Sequence, residues 1–182
     1  PSVVGIIVDP KDNKHIIVGD RTDPTIYEST DAGVTWKTLV AVDKTDYYRV
    51  FSLTLHQGKV YFSVMKRMKG VLALFSDPMS GSTFRVENGK AIPLNDGSLS
   101  RVVIRFHSNG GSLYALSHIS GLHRLNGQTW EDITANLPDL GYNDLMIDDQ
   151  GTFHAMGGGD LDIALKPRVG DAKIINEIYL SS

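Results

Sequence analysis

The sequence contains no cysteine, so disulfide bonds and thiolate metal sites are excluded. It also lacks a long hydrophobic run: the longest, such as VVGIIV and GVLALF, have the length of a β-strand and fall far short of the roughly 20 residues that a membrane-spanning helix needs. There is no excess of positive charge, because 18 Lys and Arg stand against 21 Asp and Glu, for a net charge of −3. These absences favour neither a membrane span nor a nucleic-acid partner.

What is present is the composition of a globular protein, 182 residues of which 41% are hydrophobic and 21% charged. A chain of this length buries roughly 70% of its unfolded surface, so it needs no covalent staples. The first residue is Pro rather than Met, and no basic and then apolar signal segment follows it. We therefore expect that a leader has been removed or that the chain is an excised piece, and we expect a secreted or periplasmic protein.

A four-residue pattern, Gly-x-Thr-aromatic, recurs at nearly constant intervals. GVTW ends at Trp36, GSTF ends at Phe84 and GQTW ends at Trp130, so the aromatic residues are 48 and 46 residues apart. A period of 20 to 50 residues is typical of repeat architectures.

The sequence between these marks consists of short β-rich runs separated by Gly, Asp, Asn and Pro, without helical periodicity. Four runs fill each period: VVGIIVD, KHIIVGD, PTIYES and VTWKTL in the first, and RVFSLTL, KVYFSVM, GVLALFS and TFRVE in the second. Units of about 45 residues and four strands are typical of β-propeller blades. We therefore predict an all-β protein with one propeller domain of four-stranded antiparallel blades, over residues 1–40, 41–90, 91–135 and 136–182.

Residues 29–36, STDAGVTW, match the pattern S-x-D-x-G-x-T-W at every specified position, so the chain resembles the Asp-box (BNR-repeat) β-propellers. SDPMSGSTF resembles a degenerate box, and LNGQTW keeps its second half. The resemblance covers about the first 135 residues well and the rest only by period. It implies a structural turn made by Ser29, Asp31, Gly33 and Trp36, with the Asp carboxylate accepting backbone N–H bonds and the tryptophan packing between blades.

Known Asp-box rings resemble one another in having six or more blades. The resemblance therefore implies that about four blades are part of a larger ring. The missing blades would come from a longer parent chain, a partner segment or a second copy of this chain.

The resemblance also implies that ligands bind at the other end of the blades, which we call the loop end. It is formed by the connections from second to third strand within a blade and from fourth to first strand between blades. Seven segments build it in this sequence: 19–25, 40–49, 66–70, 88–101, 118–121, 135–143 and 157–162.

Aromatic and charged residues in these segments suit sugar recognition, because aromatic faces stack on sugar rings and charged groups bond hydroxyls. The predicted ligand-binding residues are Tyr47, Tyr48, Arg49, Arg101 and Tyr142. Six carboxylates, Asp20, Asp23, Asp43, Asp46, Asp160 and Asp162, offer pairs for general acid and base catalysis. The catalytic residue stays unassigned, with Asp23, Asp46, Asp160 and Asp162 as weak candidates.

The sequence contains no motif typical of a metal site, a phosphate-binding site or a serine nucleophile. The six histidines show no spacing typical of a metal site, and neither a phosphate-binding loop nor a nucleophile elbow is present. We therefore predict no metal and no cofactor. A sialidase is disfavoured, because the FRIP segment of those enzymes is absent.

The resemblance to the xyloglucan-degrading propellers implies recognition of an oligo- or polysaccharide, as part of an extracellular glycoside hydrolase. The alternative is a non-enzymatic interaction propeller, similar to receptor or assembly-factor members, that binds a protein or peptide. An enzyme needs two carboxyl groups that converge in a cleft, whereas a binding module needs only a concave aromatic and polar surface.

Overall fold

A computed structural model describes residues 2–67, 80–97, 99, 101–117, 120–135, 142–148, 150–157, 161–165 and 177–180. For residues 142–143, 155–157, 161–165 and 177–180 it describes the backbone only. The described residues form β-strands and turns, with no helix among them. None of this part of the chain could therefore cross a membrane as a helix.

The strands form four separate sheets of four strands, and each sheet is an antiparallel meander in chain order. We call the sheets blades 1 to 4. Blade 1 contains β1 (Val3–Asp9), β2 (Asp12–Asp20), β3 (Thr25–Ser29) and β4 (Lys37–Ala41). Blade 2 contains β5 (Tyr47–His56), β6 (Lys59–Lys66), β7 (Gly81–Glu87) and β8 (Lys90–Pro93).

Blade 3 contains β9 (Val103–Asn109), β10 (Ser112–Ser117), β11 (Gly121–Asn126) and β12 (Thr129–Asp132). Blade 4 contains β13 (Tyr142–Ile147), β14 (Phe153–Gly157), β15 (Leu161–Leu165) and β16 (Glu177–Leu180). The prediction of an all-β fold with four-stranded antiparallel blades is confirmed.

The hydrophobic core lies between the blades rather than within one of them. One cluster joins blades 1 and 2 and includes Ile17, Ile26, Val40, Val50, Phe62 and Phe84. A second joins blades 2 and 3 and includes Tyr61, Leu94, Phe106, Leu113 and Trp130. A third joins blades 3 and 4 and includes Leu116, Leu122, Leu145, Ile147 and Phe153. Successive residues of a strand point to opposite faces, so a blade between two others needs apolar residues at both odd and even positions.

The four blades form an open arc. The first strands of successive blades pack in sequence, β1 on β5, β5 on β9 and β9 on β13. Within the described residues, blades 1 and 4 have no comparable packing, so the sheets form a partial ring.

The strand assignment within blade 2 differs from the sequence prediction. Residues 83–87, expected as the fourth strand, belong to the third strand, β7, and β8 lies in a segment expected to be a loop. The run 70–76, expected as the third strand, falls outside the described residues. The overlooked signal is Asn88-Gly89, a dipeptide typical of a two-residue hairpin, which joins β7 to β8.

This correction also changes the meaning of the 48- and 46-residue steps. Trp36 directly precedes the fourth strand of blade 1, and Trp130 lies in the fourth strand of blade 3. Phe84 lies in the third strand of blade 2, so it is not their structural equivalent. Blade 2 also extends past the boundary expected at residue 90, because β8 continues to Pro93.

Candidate functional site

The turn between β3 and β4 is closed by the side chains of Asp31 and Ser29. The Asp31 carboxylate accepts hydrogen bonds from the Thr35 hydroxyl at 2.6 Å, the Thr35 backbone N–H at 2.8 Å and the Ser29 hydroxyl at 2.7 Å. Ser29 Oγ accepts the backbone N–H of Gly33 at 2.8 Å, and Gly33 has a φ of 89° that favours glycine. These bonds, above all the one from the Thr35 hydroxyl, lower the pKa of Asp31 to about 2. A carboxyl group held ionised within its own turn is suited to structure rather than proton donation.

Trp36 does not pack between two blades, which differs from what the resemblance implies. Its side chain is 45% exposed, and its indole N–H donates to the carbonyl of Gly33 at 3.0 Å. It lies on the face of blade 1 that is directed away from blade 2, together with Ile16 and Ile6. The physical reason is that no blade of the described structure covers this face.

The loop end is assembled by backbone hydrogen bonds between distant segments. The Arg67 N–H donates to the carbonyl of Asp46 at 2.7 Å, which joins the end of β6 to the start of β5. The Lys66 N–H donates to the carbonyl of Ser80 at 2.8 Å, and Ser80 pairs with Arg101 in an isolated bridge. The start of blade 2 and the entry to blade 3 therefore lie side by side at this end.

A cluster of arginine and aromatic side chains lies at the start of β5, and we call it the Tyr48 cluster. Tyr48 is 45% exposed. The Arg67 guanidinium carbon lies 5.3 Å from the centroid of the Tyr48 ring, and that of Arg49 lies 5.8 Å from it. Arg49 also lies 5.3 Å from the Phe51 ring, and its Nε is buried without a hydrogen-bond partner. The Arg67 Nε–H donates to the carbonyl of Lys44 at 2.9 Å, which fixes that guanidinium over the ring.

The carboxylates near this cluster are occupied by local bonds. Asp20 accepts the backbone N–H and the hydroxyl of Thr22, at 2.7 Å and 2.8 Å. Asp23 accepts the Thr25 hydroxyl at 2.8 Å and the Lys44 ammonium at 2.5 Å. Burial raises the pKa of Asp23, but the Lys44 and Thr25 bonds outweigh it, so the pKa lies below its usual value. Asp23 therefore lacks the raised pKa that a general acid of a glycosidase needs.

The remaining predicted site residues have different surroundings. Tyr47 packs its ring edge-on against Phe84, with centroids 5.5 Å apart, so it contributes to the core between blades 1 and 2. Arg101 is partly buried at the entry to β9, and Tyr142 begins β13, where its backbone pairs with Gly157. Asp162 lies in β15, with its backbone paired to Met156 and Tyr179. Asp160 lies outside the described residues.

Sequence reasoning missed Arg67 and Phe51 as members of the Tyr48 cluster. Arg67 directly follows β6, and the β5–β6 pairing sets the end of β6 opposite the start of β5, where Tyr48 lies. A hairpin of β5 and β6, read from the sequence, would therefore have placed Arg67 near Tyr48. Phe51 lies in an irregular part of β5, where the register with β6 shifts between Val50 and Ser52, so strand alternation alone does not predict its contact with Arg49.

Three of the described histidines lie within hydrogen-bond distance of polar side chains. His15 lies between Asp9 and Glu28, with 3.2 Å to each carboxylate, and His154 lies 3.1 Å from Asp148. Burial lowers the pKa of His56, whose Nδ1 lies 2.7 Å from the Ser108 hydroxyl. In the part of the chain that the structure describes, no three His, Asp or Glu side chains converge as a metal site would require.

No protein-family model matches the sequence, and no curated protein matches it. Similar folds occur among solved structures at low sequence identity. YCF48 bound to D1 peptide is 16% identical over 91% of this chain and 50% of that one, with a TM-score of 0.57. YCF48 from Cyanidioschyzon merolae is 13% identical over 99% of this chain and 57% of that one, with a TM-score of 0.63. An ancestral GH74 enzyme is 16% identical over 95% of this chain and 25% of that one, with a TM-score of 0.60.

The chain thus spans about half the length of these YCF48 chains. At these identities the likeness concerns the fold alone. The neighbours include an enzyme as well as a protein bound to a peptide, so they share an architecture with different functions. The chain is a partial β-propeller of four blades.

Proposed function

We propose that this protein is a non-enzymatic binding module whose loop end takes an extended peptide or protein segment that carries carboxylate groups. The observation that carries this proposal is the Tyr48 cluster. It combines an exposed aromatic ring, two guanidinium groups over that ring and a buried Arg49 Nε without a partner. Arg67 is exposed and Arg49 is partly buried, so a carboxylate of the ligand would reach the outer N–H groups of these guanidiniums, rather than the buried Nε, through charge-assisted hydrogen bonds.

The charge of the cluster favours an anionic ligand over a neutral one. The protein as a whole has a net charge of −3, so the exposed Arg67 beside the partly buried Arg49 forms a local positive charge on a surface of the opposite net sign. Arg49 and Arg67 also occupy positions over the Tyr48 ring, where they compete with the stacking of a sugar. A solved structure of similar fold, YCF48 bound to D1 peptide, supports a peptide as the class of ligand.

The state of Asp23 disfavours this residue as the general acid of a hydrolase. Asp23 is bonded to Lys44 and Thr25 and has a lowered pKa. Glycoside hydrolysis needs one carboxyl group that stays protonated near neutral pH and a second that stays ionised. Asp23 provides only the ionised form.

Binding to short peptides tests the proposal. We expect a fluorescein-labelled peptide rich in Glu to bind in an anisotropy titration, and its Gln counterpart to bind far more weakly. Arg49→Gln and Arg67→Gln should each weaken binding by about tenfold, because each removes a charge-assisted contact. Arg124→Gln is the matched control, since Arg124 pairs with Glu131 on blade 3. Equal affinity for the two peptides, or unchanged binding by both cluster variants, would contradict the proposal.

Oligosaccharide recognition is the second candidate, and the exposed ring of Tyr48 supports it. An oligosaccharide-array screen with product analysis separates the two candidates. Binding of neutral glycans that is lost in Tyr48→Leu but retained in Arg67→Gln would favour the carbohydrate. Release of shorter products would identify a hydrolase.

A further inference from the structure

The face of blade 1 directed away from blade 2 is an uncovered apolar surface, which we call the outer face. Among the described residues, seven large hydrophobic side chains are exposed, and five of them belong to blade 1. Ile6 is 65% exposed, and Val3 and Trp36 are more than 40% exposed. With Ile16 and Val18 they line a groove of about 900 Å³. A soluble protein seldom leaves an apolar surface of this kind uncovered unless a partner binds there.

The environment of Trp130 shows that the preceding blade covers the equivalent face of blade 3. Trp36 and Trp130 hold equivalent positions, each one residue before a cross-strand charged pair, Glu28 with Lys37 in blade 1 and Arg124 with Glu131 in blade 3. Trp130 is only 2% exposed, because blade 2 packs against it. Its indole N–H donates to the Thr83 hydroxyl of blade 2 at 2.8 Å.

In blades 2 and 4 as well, the face directed toward the preceding blade is buried by that blade. The corresponding face of blade 2 contains Phe62 and Phe84, which are buried against blade 1. The corresponding face of blade 4 contains Leu145 and Phe153, which are buried against blade 3. The outer face of blade 1 therefore has the position and chemistry of a surface that a preceding blade covers.

We propose that the outer face of blade 1 is covered by blade 4 of a second copy of this chain. The arrangement is reciprocal: blade 4 of each copy packs on blade 1 of the other, and the two arcs close into one ring of eight blades. Propellers contain roughly four to eight blades, so a ring of this size is sterically accessible. Two-fold pairing of identical chains is also the commonest oligomeric arrangement.

The exposed side chain at the other end of the arc supports this occupant. Met146 in β13 is 56% exposed, while its neighbours Leu145 and Ile147 are buried against blade 3. Met146 therefore lies on the free face of blade 4, where the next blade of a ring would pack, and it shares this face with its cross-strand partner His154, which is paired with Asp148.

The contact area is sufficient for a stable dimer. Four strands spaced about 4.8 Å apart and about 20 Å long cover about 400 Å². A closed ring of two copies uses four such faces, a total of about 1,600 Å², which is typical of specific interfaces.

Light scattering with three variants of the full chain tests this proposal. We expect the wild-type protein to have the mass of two chains at micromolar concentration. Ile6→Lys, on blade 1, and Met146→Lys, on blade 4, should each raise the dimer dissociation constant by at least about tenfold, since each sets a charge in an apolar contact. Val34→Lys is the matched control, because Val34 is 81% exposed on the same blade and does not line the groove. Circular dichroism verifies that each variant is folded.

A wild-type protein that stays monomeric across this concentration range would overturn the proposal. A dimer that Ile6→Lys dissociates and Met146→Lys leaves intact would also overturn it, since two blade 1 faces would then pack on each other. Because the peptide titration concerns the Tyr48 cluster, its outcome is independent of this one.

Discussion

Single residues show how one type of side chain serves different purposes according to what packs on it. Trp36 and Trp130 are each the last residue of the same Gly-x-Thr-aromatic pattern, yet Trp36 is half exposed and Trp130 is buried. The sequence was sufficient to predict the Asp31 turn, because the side-chain hydrogen bonds of Ser29 and Asp31 that close it join residues at most four positions apart. It was insufficient for the Trp36 environment, which depends on whether a blade covers that face.

The Asp31 turn should make stability depend on pH in the acid range. The folded-state pKa of Asp31 is about 2 and its ordinary value is 3.8, so its contribution is present above about pH 4 and is lost as the pH falls toward 2. We expect Asp31→Asn to lower the thermal unfolding midpoint at pH 6 and to differ much less from the wild type at pH 2. Circular dichroism melts at both values measure this. A wild-type and variant difference that is independent of pH would show that Asp31 ionisation does not stabilise the turn.

Thr83 should stabilise the contact between blades 2 and 3. Its hydroxyl accepts the indole N–H of Trp130 and donates to Asp96 Oδ1 at 2.6 Å. Thr83→Val leaves both groups without this partner, and we expect a loss of about 1–3 kcal/mol in the free energy of unfolding. Urea denaturation measures the loss, with Thr45→Val as the control because Thr45 is exposed. Equal stability of the two variants would contradict the role of Thr83.

At the scale of the strands, the sequence predicted those that alternate clearly and are bounded by turn residues. β1, β2 and β3 lie where the pattern placed them. β7 and β8 were misassigned, because the apolar run at 70–76 has the composition of a strand and brings the number of strand-like runs in this period to four without the Asn88-Gly89 hairpin. Which runs form the third and fourth strands of a blade depends on the pairing between strands, and a single sequence does not show that pairing.

The start of β7 approaches the entry to β9 so closely that only glycine fits at position 81. A Cβ atom added to Gly81 would lie 2.7 Å from Cα of Val102 and 2.8 Å from its backbone nitrogen. Because backbone atoms cannot rotate away, we expect Gly81→Ala to cost about 1–3 kcal/mol by forcing blades 2 and 3 apart. Urea denaturation measures this, and the neighbouring Ser80→Ala serves as the control. Full stability of Gly81→Ala would show that the two segments can separate without loss.

At the scale of the whole molecule, the series of short strands predicted about four blades, and the resemblance to Asp-box propellers implied that they are part of a larger ring; the four sheets form a partial ring. The ligand was much harder to predict, because the Tyr48 cluster depends on distances between side chains from two strands and on the bonds that occupy the nearby carboxylates. Sequence reasoning named Tyr48 and Arg49 and treated Asp23 as a weak catalytic candidate. The lowered pKa of Asp23 and the position of Arg67 became visible only with the fold.

Binding at the Tyr48 cluster should weaken as salt concentration rises. Arg49 and Arg67 attract an anionic ligand over a distance that the Debye length limits to about 10 Å at 0.1 M salt. We expect the affinity for the Glu-rich peptide to fall steadily with added sodium chloride, as measured by anisotropy. Affinity that is independent of salt would indicate an apolar contact instead of a charged one.

The openness of the arc, and its closure by a second copy, can be followed through Trp36. The sequence has only two tryptophans, and Trp130 is buried, so subtracting the Trp36→Phe signal isolates the emission of Trp36. Acrylamide quenching of Trp36 should be strong in dilute solution and should decrease as the protein concentration rises and a blade covers the ring. In Met146→Lys it should stay strong at every concentration. Quenching of Trp36 that does not change with concentration in the wild-type protein would contradict a closed ring of two copies.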